Sequence, residues 1–138
     1  MASLIGAVAQ IAAANQAASA HEASGEAEAQ ALRDKAASAE SAAKDRELER
    51  LVNLRKVRSA QRAYWSAAGI DPATGSPLTV ASRSYEMFEL DQGADLINTR
   101  QQIRTYNNSA DAAIRIGRIK ARGSILSGMA GAANTWNT

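Results

Sequence analysis

Small residues recur along the first half of the chain at a helical interval. Gly25, Ala29, Leu32, Ala36, Ala39 and Ala43 are spaced four, three, four, three and four residues apart. Residues three and four apart share one helix face, so this is the seam of a helix paired with another helix, with the rhythm of a heptad. Beyond Ala43 the phase slips, and Leu48, Leu51, Leu54, Val57, Tyr64 and Ala68 continue the apolar face. In the second half Val80, Tyr85, Phe88, Leu96, Ile103, Ala110, Ile114, Ile119 and Ile125 fall near helical spacing.

One dense run of turn residues separates the two halves: Gly69-Ile70-Asp71-Pro72-Ala73-Thr74-Gly75-Ser76-Pro77. Gly69 suits the position just past a helix that ends near Ala68. Asp71-Pro72 and Thr74-Gly75 are turn pairs, and Ser76-Pro77 reads as an N-cap followed by proline in the first helical position. Pro72 and Pro77 are the chain's two prolines. The pattern therefore predicts an all-α protein in one domain, residues 1–138. Its elements are a first helix over about 4–68, a turn over 69–76 and a second helix over about 77–132. The expected fold is a long antiparallel helical hairpin, an Ala-rich, coiled-coil-like rod about 75 Å long for helices of roughly 50 residues. A turn centred near residue 73 sets side by side the positions whose numbers sum to about 146. Gly25, Gly93 and Gly117 are expected weak points where a helix bends or frays.

Charge strengthens the hairpin reading. Met1–Ala20 has no charged side chain, and His21–Glu49 is mainly acidic. Arg50, Arg55, Lys56, Arg58 and Arg62 make a purely basic block. Asp71, Glu86, Glu89, Asp91 and Asp95 follow, against Arg83. Arg100, Arg104, Arg115, Arg118, Lys120 and Arg122 come next, against Asp111, and Gly123–Thr138 is again uncharged. Folded back near residue 73, each block meets its complement. Arg50–Arg62 is expected to face Ser84–Leu96, and the acidic block of the first helix the basic half of the second.

Composition adds one constraint. Alanine dominates and aromatics are few, so a single hairpin buries little apolar area; each missing methylene forgoes about 0.8 kcal/mol. A closed cyclic homo-oligomer is expected, with Trp65, Tyr85 and Phe88 near the turn as anchors for a neighbouring copy or partner. The two uncharged segments, residues 1–20 and 123–138, meet at the tip opposite the turn. Gly123, Ser127 and Gly131 form one small-residue ridge, and Ser124, Gly128 and Ala132 another. With Leu4, Ile5, Val8, Ile11 and Trp136 they make a tip suited to tight packing or to a membrane interface.

The chain carries no catalytic signature. His21 is the lone histidine, there is no cysteine, and no phosphate loop, dinucleotide fingerprint or nucleophile motif occurs. No enzyme, cofactor or metal is expected. The net charge of +2 is small. The basic block with Tyr64 and Trp65 is a candidate nucleic-acid contact, although its neutralisation by Glu86–Asp95 within the chain is the simpler use.

The middle of the chain carries a resemblance. Ser59-Ala60-Gln61-Arg62-Ala63-Tyr64-Trp65-Ser66-Ala67-Ala68-Gly69-Ile70 runs into Thr74-Gly75-Ser76-Pro77-Leu78-Thr79-Val80, followed by Glu86, Glu89-Leu90-Asp91 and Asn98-Thr99-Arg100. Over about residues 30–132 this resembles the small internal virion proteins of short-tailed bacteriophages (podoviruses), the inner-core or ejection proteins. The resemblance implies storage inside the capsid near the portal and ring-like assembly with other internal virion proteins and the portal. It also implies release into the host cell envelope during genome ejection. Two alternatives are a secreted helical-hairpin effector of the WXG type, although Trp65 and Gly69 lack its Trp-x-Gly spacing, and a coiled-coil structural adaptor outside any virus.

Overall fold

The computed structural model describes residues 2–136, with side chains for residues 6–134. It contains two long helices and no strand among the described residues: α1, Ala2–Ala67, and α2, Gly75–Trp136. Alanine, the best helix former, and the lack of proline before Pro72 let α1 run for 66 residues. Ala68–Thr74 connects the helices, and the fold is a helical hairpin.

Each helix end at the loop has a defined closure. The Ile70 N–H donates to the Trp65 carbonyl at 2.9 Å and the Gly69 N–H to the Ser66 carbonyl at 3.1 Å. Gly69 has φ +71°. Together these make a Schellman ending, which satisfies carbonyls that α1 would leave open. The Asp71 side chain then accepts from the Ala73 N–H at 2.9 Å, an Asx turn that reverses the chain. Gly75, at φ +63°, admits the chain to α2. The second helix thus begins at Gly75 rather than near Pro77, and Ser76 lies within its first turn instead of capping it. Pro77 is tolerated there because first-turn N–H groups have no intrahelical acceptor.

The chain divides into two compact units. Unit 1 joins the residues up to Ala36 with those from Arg104 onward, and unit 2 is Ala37–Ile103.

Unit 1 has a core of the smallest side chains. Ala29, Ala110 and Ala113 form a buried cluster, with Leu32 and Ile114 partly buried against it. Ala7, Ala18, Ala36, Ala121 and Ala132 are also buried. Gly25 and Gly117 lie face to face. A Cβ on Gly25 would stand 2.9 Å from the Ala113 carbonyl oxygen and 3.2 Å from the Gly117 Cα; one on Gly117 would stand 2.8 Å from the His21 carbonyl oxygen. These glycines therefore mark a close approach of the two helices within unit 1, in a helix that runs on through each of them, rather than the weak points expected. Gly93 has open space where a Cβ would go.

Unit 2 is held differently. Among the described residues it buries Pro77 and Thr99, with Leu51, Leu54, Trp65 and Phe88 half-covered. Polar contacts cross between its helices. Arg46 Nε and Arg50 Nη1 donate to the same Asp95 oxygen at 3.3 and 3.1 Å, Arg46 Nη2 reaches Thr99 Oγ1 at 3.5 Å, and Gln61 Nε2 donates to Ser84 Oγ at 3.3 Å.

The covered face departs from the expected one beyond Ala43. It does not slip to Leu48, Val57 and Tyr64, which are exposed, but continues straight through Arg50, Leu54, Gln61 and Trp65. Covered positions recur every 11 residues: His21, Leu32, Ala43, Leu54 and Trp65 on α1, and Pro77, Phe88, Thr99, Ala110, Ala121 and Ala132 on α2. Eleven residues in three turns, about 3.67 per turn, lies near the natural period of the helix. On α2 the expected Phe88, Ile103, Ala110 and Ile114 are covered, whereas Val80, Tyr85, Leu96, Ile119 and Ile125 face outward. In unit 1, helices as close as Gly25 and Gly117 require leave little room for large side chains between them, and Leu32 and Ile114 are only partly buried.

Near the turn the register is the expected one to within a residue: Arg50 meets Asp95 and Gln61 meets Ser84, numbers that sum to 145, so Arg50–Arg62 does face Ser84–Leu96. In unit 1 it departs, since Gly25 meets Gly117, a sum of 142. The loop Ala68–Thr74 is centred on Asp71, before the expected centre.

The two kinds of glycine should respond to alanine with opposite signs. Gly93→Ala is expected to stabilise by about 1 kcal/mol through helix propensity alone. Gly25→Ala and Gly117→Ala gain the same propensity but force backbone apart, at about 1–3 kcal/mol, so both should lower the melting temperature. Thermal unfolding followed by circular dichroism checks the three variants side by side.

Candidate functional site

A concavity lies within unit 2, beside the turn. It is a groove of about 730 Å³ between the end of α1 and the start of α2. Arg55, Arg58, Arg62 and Trp65 line one wall, and Pro72, Ala73, Pro77 and Leu78 line the other. On α1 the spacing of three, four and three residues stacks the arginines and the indole in a single row. The Schellman ending fixes the last turn of α1 and with it Trp65, whose ring meets Tyr64 edge-on at 5.3 Å and 78°.

The electrostatics of the groove follow from where the ion pairs go. Among the described residues, the pairs between helices are Arg33–Asp111 at 3.7 Å, Arg46–Asp95 at 3.3 Å and Arg50–Asp95 at 3.1 Å. Arg33 and Arg46 are minority cations of the acidic block, and Asp111 is the lone acid of the basic stretch it faces. Of the basic block, Arg50 alone is neutralised across the hairpin. Arg55, Lys56, Arg58 and Arg62 are exposed and, among the described residues, within ion-pair distance of no carboxylate. No acidic side chain lines the groove. The expected neutralisation by Glu86–Asp95 thus stops at Asp95, because the register puts Gln61 opposite Ser84 and leaves Glu86, Glu89 and Asp91 exposed.

Asp95 itself is the anchor of unit 2. Partial burial opposes its charge, but hydrogen bonds from Arg46 and Arg50, with their attraction, outweigh that and hold its carboxyl below the usual range. Gln61 Oε1, by contrast, is buried without a hydrogen-bond partner.

The residues singled out in the sequence fall into three groups. Gly69, Asp71, Pro72, Gly75, Ser76 and Pro77 come together at the turn, and Pro72 and Pro77 join Trp65 in the groove. Tyr85 and Phe88 pair with each other on α2 at 6.3 Å, Tyr85 exposed and Phe88 half-covered. At the uncharged tip, Gly128 packs on the Ala14 side chain and Gly131 on Gln10 Oε1, whereas Gly123, Ser127 and Val8 are exposed. Of the two ridges, Ser124, Gly128 and Ala132 is the one that packs inward. The side chains of Leu4, Ile5 and Trp136 lie outside the described residues. Among the described residues, no group of three or more acidic or histidine side chains is placed to hold a metal, and no helix is long and apolar enough to cross a membrane.

The basic block, Trp65 and the placing of Arg50 opposite Asp95 are readable in the sequence; Arg46 and Thr99, which complete the clasp, are not, although the 11-residue row through Thr99 was a signal that could have found the latter. Set against protein-family models, curated proteins and solved structures, the chain matches none.

The clasp should be sensitive to acid. A carboxyl held below its unfolded value of about 3.9 stabilises the fold above that pH, and the contribution is lost as pH falls through the lower folded value. Hydrogen exchange should show amide protection around Arg46–Arg50 and Asp95–Thr99 declining below about pH 4. In Asp95→Asn that protection is expected to be weaker at neutral pH and to change less on acidification.

Proposed function

We propose that this chain is a non-enzymatic assembly protein, an internal virion or ejection protein of a short-tailed bacteriophage, that works as a ring-like homo-oligomer. In this reading it is stored in the capsid near the portal with other internal proteins and leaves with the genome for the host envelope. The resemblance over about residues 30–132 supports the class. One structural observation supports the assembly: the large apolar side chains are on the outside. Among the described residues no large side chain is fully buried, and Leu90 is 70 % exposed, Ile119 69 %, Leu126 67 % and Ile97 65 %. A fold that keeps alanine inside and leucine and isoleucine outside has its main hydrophobic burial still to make, and helices paired as a coiled coil with further copies would make it.

The same reading gives the uncharged tip its role after ejection. Val8, Ile11, Leu126 and Met129 are exposed there, and residues 1–20 and 123–138 carry no charge. Such a surface can lie in a bilayer interface without spanning it. Gly128 is a poor site for testing this, because it packs on Ala14; Leu126 and Met129 are free to be changed.

Light scattering over a dilution series tests the assembly. A closed oligomer whose melting temperature falls on dilution is expected; a compact monomer with a concentration-independent transition would contradict the assembly. In vesicle co-sedimentation, the double variant Leu126→Glu, Met129→Glu should lose bilayer binding while staying helical. Neighbouring genes test the class: portal and capsid genes support it, and secretion ATPase genes overturn it.

A further inference from the structure

The groove beside the turn carries a cationic row that the burial of apolar side chains between copies does not explain. Arg55, Arg58 and Arg62 rise along one face of α1 about one 5.4 Å turn apart, and Trp65 continues the row. All three arginines are exposed, and none has a carboxylate within ion-pair distance among the described residues. Three unneutralised cations in a row repel one another, and a protein that only needed to close this end of a hairpin could do so without them. Arginine is moreover the cation whose planar fork matches phosphate oxygens in pairs.

Each part of the groove has a counterpart in one kind of ligand. A row of guanidinium groups at a regular step matches a polymer with a regularly repeated anion. The half-exposed indole at the end of the row, fixed by the edge of Tyr64, offers a flat face for a flat ring. Pro72 and Pro77 stiffen the opposite wall, which faces the arginine row across the groove. An acidic peptide would supply anions without the repeated flat rings, and a bilayer surface cannot enter a groove walled on both sides. We infer that this groove binds single-stranded nucleic acid, with Arg55, Arg58 and Arg62 on successive phosphates and Trp65 stacked on a base. This does not depend on the viral reading above.

The test uses the full chain in its assembled state and a fluorescent thymidylate strand of about 12 nucleotides, within the usual site sizes for such grooves. Anisotropy is read between about 50 and 200 mM salt. Three phosphate contacts predict a slope of log affinity against log salt of about −2. The triple variant Arg55→Gln, Arg58→Gln, Arg62→Gln should flatten that slope and weaken binding at least about tenfold, whereas lysines at the three positions should keep the slope. Trp65→Ala should weaken binding about tenfold and leave the slope unchanged. A control triple, Arg100→Gln, Arg104→Gln, Arg118→Gln, should change neither. Should the first triple variant lose its helical signal, Arg58→Gln alone decides, with an expected slope change of about 0.7. Absence of binding at low salt, equal weakening by the control triple, or tighter binding to the duplex of the same length or to phosphatidylglycerol vesicles would each overturn the inference.

Discussion

The distance between the helices at Gly25 and Gly117 constrains the rest of unit 1. With no Cβ on either residue, the backbones approach until an added methyl group would stand within 3 Å of a carbonyl oxygen on the partner helix. At that separation alanine fills the neighbouring layers, as Ala29, Ala110 and Ala113, with Leu32 and Ile114 only partly buried against them. The larger apolar residues are therefore turned outward, whatever their hydrophobicity. Each alanine that replaces a leucine in such a seam forgoes about three carbons at roughly 0.8 kcal/mol apiece. The close approach thus has a cost in burial, and exposed residues such as Ile119 and Leu126 are where an oligomer would recover it.

Unit 2 meets the same demand for specificity by another route. Its helices are joined by Arg46 and Arg50 on one carboxylate, by Thr99 beside them, and by Gln61 on Ser84. Pairs this exposed contribute little stability one by one. Their directional geometry selects register instead: a shift of one residue on either helix would separate Asp95 from both arginines. That register also decides the charge of the groove. It spends Asp95 on Arg46 and Arg50 and brings no acid to Arg55, Arg58 or Arg62, so the basic end beside the turn is a consequence of the clasp.

The parts of the fold written in local chemistry were legible in the sequence. Gly69 followed by Asp71-Pro72 announces a helix end and a turn in any context, and the seam from Gly25 to Ala43 is dense enough in small residues to show its face. Two features hid the rest. Following hydrophobicity past Ala43 leads to Leu48, Val57 and Tyr64, whereas packing follows the 11-residue rhythm through Arg50 and Gln61, which are polar because their partners Asp95 and Ser84 are polar. A bare glycine in a helix reads as a point of weakness until its partner glycine is known, and that pairing depends on register across some ninety residues. The groove shares the difficulty. Its row of arginines is visible in sequence, but whether acids neutralise it turns on which residues of the second helix stand opposite.

The central claim is that small residues form the inter-helix seam and large apolar residues face away from it. The chain contains no cysteine, so introduced pairs report on it without interference. Oxidative crosslinking of Ala29→Cys with Ala113→Cys should proceed rapidly within one chain, because both positions are buried in the same cluster. The pair Leu48→Cys and Leu96→Cys, placed where hydrophobic patterning alone would put the seam, should give links between chains or none. Rapid crosslinking of the second pair within one chain, with the first pair inert, would contradict the account.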